Sequence, residues 1–531
     1  MRDVIASRGV VVAADRMAAS AGAEVLRKGG NAVDAIVAAA LAECVVQPHN
    51  VGLGGYAGTM VTYSAKHNVV SVIDFDSIAP AAARPDMFPP HVCTDNWDIA
   101  SDGNSGGPGM NEYGCMCVTV PPIVAGLALA VERFGRMSFA DVAAGAQRLA
   151  DGGFTVYRML AKALSLFAKH ADAESVRALL PNGVVPKEGD VLVQKDLAAL
   201  IAALRRDGPM AFYTGDVRAR VLDRIKRGGG IVEESDFSAV APRVEEPIAV
   251  NCGEFDVFTP GPPAGGITAL QMLRVLDLID FAPTDLATSR HYHLLIEAAR
   301  HAWRERFECL GDPLHVDVPI DEMLSERRAL DTLARVESGA LAPDVSVSAA
   351  GSEHTVHLVA IDGDRNMASL TATHGSWFGS MIAVDGLGLV LGHGMSRFDP
   401  VPGRPNSIAP GKRVQHNMSP IIITRNGQPY CAIGMPGGRK IINGSVVLAH
   451  GITEFGLTCG EAMALPRFHL DGSGPAVVDS AALVSEMKKG GCDVELADKR
   501  LGGPVAGALV ADETGLLMAA SEAGFECVAA V

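Results

Sequence analysis

At residue 355 the patterning of the chain changes from helical to extended, and this break constrains the fold more than any other feature. TVHLVAID (355–362) and NMASLTAT (366–373) are strand-like runs joined by Gly363-Asp364-Arg365, a hairpin signal. Further strand-like runs fall at 387–391, 419–425, 429–434, 493–496, 505–511 and 516–520, with helical sequence between them at 439–465. Upstream, helices dominate. Residues 15–28 carry apolar periodicity that stops at Gly29-Gly30. Asn31 is a good N-cap, with Asp34 at N3, for a helix over 32–46. Short strands are predicted at 58–64 and 68–75. Helices then prevail from 121 to about 340, interrupted by strands near 247–258, and 287–309 is a long amphipathic helix. This order predicts a layered α+β domain with helices on both faces of a central antiparallel sheet. Length alone suggests three or four domains, but no Ser/Gly tract, proline run or charge block divides the chain.

Composition excludes several classes. Lys and Arg number 45 against 61 Asp and Glu, a net charge of −16, which argues against nucleic acid or an anionic membrane as partner. Mean hydropathy is +0.21. Even so, no run of 18 apolar residues exists, and the best candidate for a span, 32–46, contains Asp34 and Glu43. The N-terminal twenty residues lack an apolar core followed by a cleavage pattern, so a cytoplasmic protein is expected. Ten cysteines scattered through so long a chain do not read as a disulfide framework. Cys115 and Cys117 form an isolated C-x-C that reads as free thiols in a loop, and no metal site is expected.

Two glycine clusters need weighing. GLGGYAG (52–58) resembles a dinucleotide fingerprint, but that motif requires a strand before it and a helix after it. Here a helix precedes and a strand follows, so a tight backbone crossing is the better reading. GMPGGRK (434–440) joins a strand to a helix. Gly437 and Gly438 either present backbone N–H groups to an anion or developing oxyanion, or form a plain connecting turn. Two long loops, 76–120 and 396–419, read as functional or mobile.

Segments along nearly the whole chain, in one order, resemble the γ-glutamyltransferase (γ-glutamyltranspeptidase) family of N-terminal nucleophile hydrolases. They include KGGNAVDA (28–35), QPHNVGLGG (47–55), GGGIVEESDF (228–237), PPAGGITALQML (262–273), TVHLVAID (355–362), SLTATHGSWFGS (369–380), GMPGG (434–438) and EAMALPRFHLDG (461–472). The resemblance implies a four-layer αββα sandwich and a precursor that cuts itself between His354 and Thr355. A large, helix-rich subunit 1–354 and a small subunit 355–531 would then remain together as one unit, as a heterodimer; a higher oligomer is left open. Thr355, followed by His357 and Asp362 in the family's spacing, would supply a hydroxyl nucleophile and a freed α-amine as base. Thr373 would orient Thr355. Gly437 and Gly438 would hold the oxyanion. No cofactor is implied.

The positions that read the γ-glutamyl group differ from the family pattern. Asp76 stands at the family's carboxylate-binding Arg and Arg397 at its amine-binding Asp. Gly394 replaces a Gln or Glu, Gly375 an Asn, and His416-Asn417 a Ser-Ser pair. Such a pocket is expected to reject γ-glutamyl donors and to hold an anionic acyl group on Arg397, with help from Arg439 and His416. Gly375 and Gly394 are expected to open room for a larger group, while Arg397 as a solvated loop residue is the bland alternative. The expected activity is hydrolysis or acyl transfer on a small non-γ-glutamyl substrate. One form is the carbon–carbon hydrolysis of the antibiotic-biosynthesis branch, which releases an oxalyl-type fragment from a cyclic amino-acid intermediate. Alternatives are an amide hydrolase of the cephalosporin-acylase type, a genuine γ-glutamyl enzyme, or an inactive relative serving as a binding protein.

Overall fold

The computed structural model describes residues 3–89, 109–180, 183–338, 354–472, 474–503, 506–510, 514–522 and 528–531. Two seven-stranded antiparallel sheets lie face to face, where periodicity predicted a single central sheet. The first runs Val528–Ala530, Gly9–Val12, His354–Asp362, Met367–Gly375, Ala57–Ser64, Val69–Asp74 and Arg243–Glu245. The second runs Val4–Ala6, Leu517–Ser521, Ala506–Val510, Gln428–Gly434, Ile421–Arg425, Phe255–Thr259 and Ile248–Cys252. The reason one sheet could not be told from two is visible in the strand His354–Asp362. Val356, Leu358 and Ala360 enter the core beneath one helical layer, whereas Val359 and Ile361 enter the core between the sheets. With both faces buried, the period-two signal carries no sheet number.

Helices cover each outer face, completing the four layers. On the first sheet lies Ala32–Val46, every residue of it buried, paired with Arg16–Arg27. Asn31 caps it through a capping box with Asp34, as predicted. On the second sheet lie Gly266–Leu276, Ser289–Cys309 and Lys440–Thr453. The helical stretch predicted at 439–465 is two helices: Lys440–Thr453 stops before a turn through Gly456, and Cys459–Ala464 follows. The predicted strand 387–391 shrinks to Leu389–Val390, half of a small hairpin outside both sheets. That at 493–496 is Val494–Leu496, in a separate three-stranded sheet. Residues 505 and 511 of one predicted strand, and 90–108 of the first long loop, lie outside the described residues.

Each sheet draws strands from both sides of residue 355. Cutting the chain there would therefore leave two pieces joined by strand hydrogen bonds and shared core. Among the described residues, no helix is long and apolar enough to cross a membrane.

Candidate active site

The strand pair 354–362 and 367–375 builds the site. Ser369, Thr371 and Thr373 recur at period two and share one face, directed at the second sheet. Ser369 Oγ donates to the Ile433 carbonyl of that sheet at 3.0 Å, and the His357 ring lies against Gly434. His357 Nδ1 pairs with Thr371 Oγ1 at 2.8 Å, and burial pushes the imidazole down to about 3, so it stays neutral. Asp362 closes the hairpin by accepting from the Asp364 and Asn366 amides, and it also accepts from Ala32 N–H at the start of the buried helix. His357 and Asp362 therefore serve as spacer and clamp.

At the open end of this pair, the register shifts between His354 and Val356. The bulge brings Thr355 Oγ1 to 3.2 Å from Thr373 Oγ1, to which it donates. Thr373 Oγ1 donates in turn to the His354 carbonyl at 2.6 Å and accepts from Gly375 N–H at 2.7 Å. A hydroxyl thus leads through a second hydroxyl to the carbonyl of the peptide that precedes it. The His354 ring stacks on Trp377, with centroids 4.7 Å apart and planes at 28°. Burial, followed by the charges of Lys499, Lys440 and Arg397, lowers the His354 imidazole to about 4. Three cations therefore act on the position next to Thr355.

Gly437 and Gly438 have φ of +130° and +60°, a left-handed backbone that favours glycine. They close the turn from Gln428–Gly434 into Lys440–Thr453, whose first turn has no side-chain cap. The strand that leads into this helix ends at Gly434 against the His357 ring, two residues along its strand from Thr355, so the turn follows from that end of the sheets.

The residues expected to read the substrate divide into two groups. Arg397 lies on the turn Gly394–Arg397, with Nη2 3.1 Å from His393 Nε2, which also accepts from Ser376 N–H. A Cβ at Gly375 would lie 2.0 Å from His393 Nε2 and 2.9 Å from Arg397 Nη2. Gly375 is therefore what lets Arg397 approach the strand end that carries Thr373. The expectation that Gly375 and Gly394 open space is wrong. His393 and Arg397 fill the first place, and Thr119 Oγ1 and Ser77 Oγ, 2.4 and 2.8 Å from the position of a Cβ, fill the second.

Asp76 does not meet the pocket as a bare carboxylate. Its Oδ2 accepts from His416 Nε2 at 2.6 Å, and the two side chains are 1% and 2% exposed. His416 Nδ1 accepts from Met418 N–H, which places the ring proton on Nε2. Burial pushes the Asp76 carboxyl up to about 7. Asn417 accepts from the fully buried Arg306 through Oδ1, and Arg439 is held by Asp471 at 3.1 Å and stacks over Phe307. Arg439 is thus drawn to a different partner from the one expected.

Sequence reasoning missed His393, Trp377, Lys440 and Lys499. The i, i+4 spacing of His393 and Arg397 was the one available signal; the others come from elsewhere in the chain. The remaining motifs have structural roles. A Cβ at Gly54 would lie 2.1 Å from the Val390 carbonyl and one at Gly58 2.1 Å from the Phe75 ring, which makes GLGGYAG a tight backbone crossing. Cys115 and Cys117 are buried thiols on backbone carbonyls, not an open loop pair. The loop 396–419 is pinned by buried Arg413, which binds Asp74 and Asp312.

Two facing sheets between helical layers, with Thr355 at a strand end beside the chain's own carbonyl, define an N-terminal nucleophile hydrolase. The sequence model of the gamma-glutamyltranspeptidase family matches residues 18–524, and the chain belongs to that family of hydrolases and acyltransferases. It is 32% identical over 484 residues to the glutathione hydrolase proenzyme of Bacillus subtilis (strain 168), covering 87% of this chain and 80% of that protein. It is equally 32% identical over 475 residues to the acylase ACY 1 proenzyme of Pseudomonas sp. (strain V22), covering 88% and 83%. The fold is shared with the crystal structure of cephalosporin acylase from Bacillus halodurans, at a TM-score of 0.88 and 24% identity over 100% of this chain and 97% of that one.

Proposed function

We propose that the chain is a self-cleaving Thr-nucleophile enzyme acting on an anionic acyl group other than γ-glutamyl. The observation that supports this is the cationic surround of the nucleophile: Arg397 beside Gly375 and Thr373, with Lys440 and Lys499 acting on His354. Cleavage comes first. Thr355 Oγ attacks the His354 carbonyl carbon while Thr373 polarises the carbonyl oxygen. Water then hydrolyses the resulting ester, leaving residues 1–354 and 355–531 as a heterodimer with a free Thr355 amine. A free α-amine titrates near pH 8, so it can take the hydroxyl proton in turnover. Gly437 and Gly438 N–H groups hold the oxyanion, Arg397 binds the acyl anion, and water or an amine accepts the acyl group.

Within this reading, the carbon–carbon hydrolysis of an oxalyl-type ketone and the hydrolysis of an acyl amide use the same nucleophile. They differ in the leaving group, a carbanion that must be protonated in one and an amine in the other. A cytoplasmic setting belongs to the same proposal. Mass spectrometry tests the core of it. Wild-type protein should resolve into two chains meeting at His354 and Thr355, and Thr355→Ala should stay whole. Intact wild-type chain that still turns over an acyl donor would refute the mechanism. Turnover of γ-glutamyl-p-nitroanilide should be very low; robust γ-glutamyl transfer would overturn the reading of the pocket.

A further inference from the structure

Before cleavage, His354 is the acyl residue of the chain's own first reaction, and its side chain already occupies a defined place. The imidazole stacks on Trp377 with a centroid separation of 4.7 Å, while its carbonyl is held by Thr373. Trp377 is only partly buried. His49 meets its ring edge-on at 5.9 Å, and Lys162 Nζ lies 5.9 Å from its centroid. Lys440, Lys499 and Arg397 add positive charge around the stacked imidazole. An indole face next to a nucleophile suits a flat ring, since aromatic rings gain from offset stacking beyond the area they bury. The cations favour a negative charge on that ring.

We propose that Trp377 is the platform for a planar, anionic ring of the substrate, and that His354 holds this place until cleavage frees it. The proposal rests on the Thr355 reading above and names the substrate class of the same site. It also makes the uncleaved chain self-blocked: the same imidazole that precedes the scissile bond covers the surface on which substrate lies.

Isothermal titration calorimetry with 4-nitrobenzoate, a flat anion, and cyclohexanecarboxylate, a puckered one, tests this on the full chain. Cleaved wild-type protein should bind 4-nitrobenzoate about three- to tenfold more tightly than cyclohexanecarboxylate. Uncleaved Thr355→Ala should bind it at least tenfold more weakly than cleaved protein does. Adding His354→Ala to Thr355→Ala removes the covering ring and should restore binding without any cleavage. Trp377→Phe should stay within about threefold of wild type, and Trp377→Leu should lose the preference for the flat anion. Equal affinity for the two anions would overturn the proposal, as would no gain from His354→Ala in the Thr355→Ala chain. The double variant tests the platform even if wild-type protein does not cleave, an outcome that mass spectrometry assigns to the cleavage mechanism alone.

Discussion

At the scale of single residues, the site depends on two short relays. Thr373 is the middle of one, accepting from Thr355 and donating to the His354 carbonyl. Thr373→Ala removes the donor to the developing oxyanion. Cleavage should slow on the order of 10²-fold, the usual cost of one such donor, while the fold survives. Time-resolved gel analysis of newly refolded chain checks this, and cleavage at the wild-type rate would remove Thr373 from the mechanism. Arg397 belongs to the other relay, with His393 and Ser376. Arg397→Ala should cost about 2 kcal/mol, or roughly thirtyfold in kcat/KM, on an anionic acyl donor, mostly through KM. A change within threefold would favour a neutral acyl amide. The nucleophile and its partner were legible only through the family resemblance; spacing placed both on one hairpin but gave neither a role. The pairing of Asp76 with His416 was not legible, since 340 positions separate them and only the packed fold joins them.

At the scale of elements, the spacing between the two sheets is set where the Gln428–Gly434 strand crosses behind His357. A Cβ at Gly434 would lie 2.2 Å from His357 Cε1, so no side chain fits without parting the layers. Gly434→Ala should destabilise by about 1–3 kcal/mol, the range for overpacking. His357→Ala should cost less in its presence than alone, because the same clash is relieved. Urea midpoints of the four proteins give the coupling, and additive effects would show that the sheets do not bear on each other there. The helix Ala32–Val46 was legible from its cap, since Asn31 and Asp34 act within one turn. The reduction of the predicted strand 387–391 to Leu389–Val390 was not, because a buried apolar run reads alike in a strand and in a short hairpin.

At the scale of the whole molecule, buried neutral histidines set the response to acid. Burial pushes His49, His357, His374 and His450 down to about 3, well under their ordinary value near 6.5. Between these limits the unfolded chain binds more protons than the folded one, so stability rises with pH and is lost as pH falls below about 6.5. Each such imidazole adds up to about 1.4 kcal/mol per pH unit. Asp76 acts oppositely: its raised carboxyl favours the folded state below pH 4 and loses that contribution as pH rises through about 7. Glu43 is raised by burial in the same sense as Asp76, but His291, His354 and His393 are lowered as well, so the imidazoles outnumber the strongly raised carboxyls. Thermal melts should therefore show Tm falling from pH 7 to pH 4.5, and the fall should be shallower in His374→Gln. A flat Tm over that range would show that water reaches these rings.

Local patterning by itself determined which segments are helices and strands, where the buried helix begins, and that no linker divides the chain. The roles of Thr355, Thr373 and the Gly437-Gly438 turn came from the family resemblance, which many segments in one order carry; periodicity alone did not single them out. Periodicity could not count the sheets, since burial on both faces erases that signal; the family resemblance implied two, and the tertiary structure shows them. It alone showed that Gly375 and Gly394 are filled by His393, Arg397, Thr119 and Ser77, and that Asp76 is sealed by His416. The volume beside a glycine and the partner of a buried charge belong to whatever distant segment packs there, and one-dimensional spacing does not contain that distance.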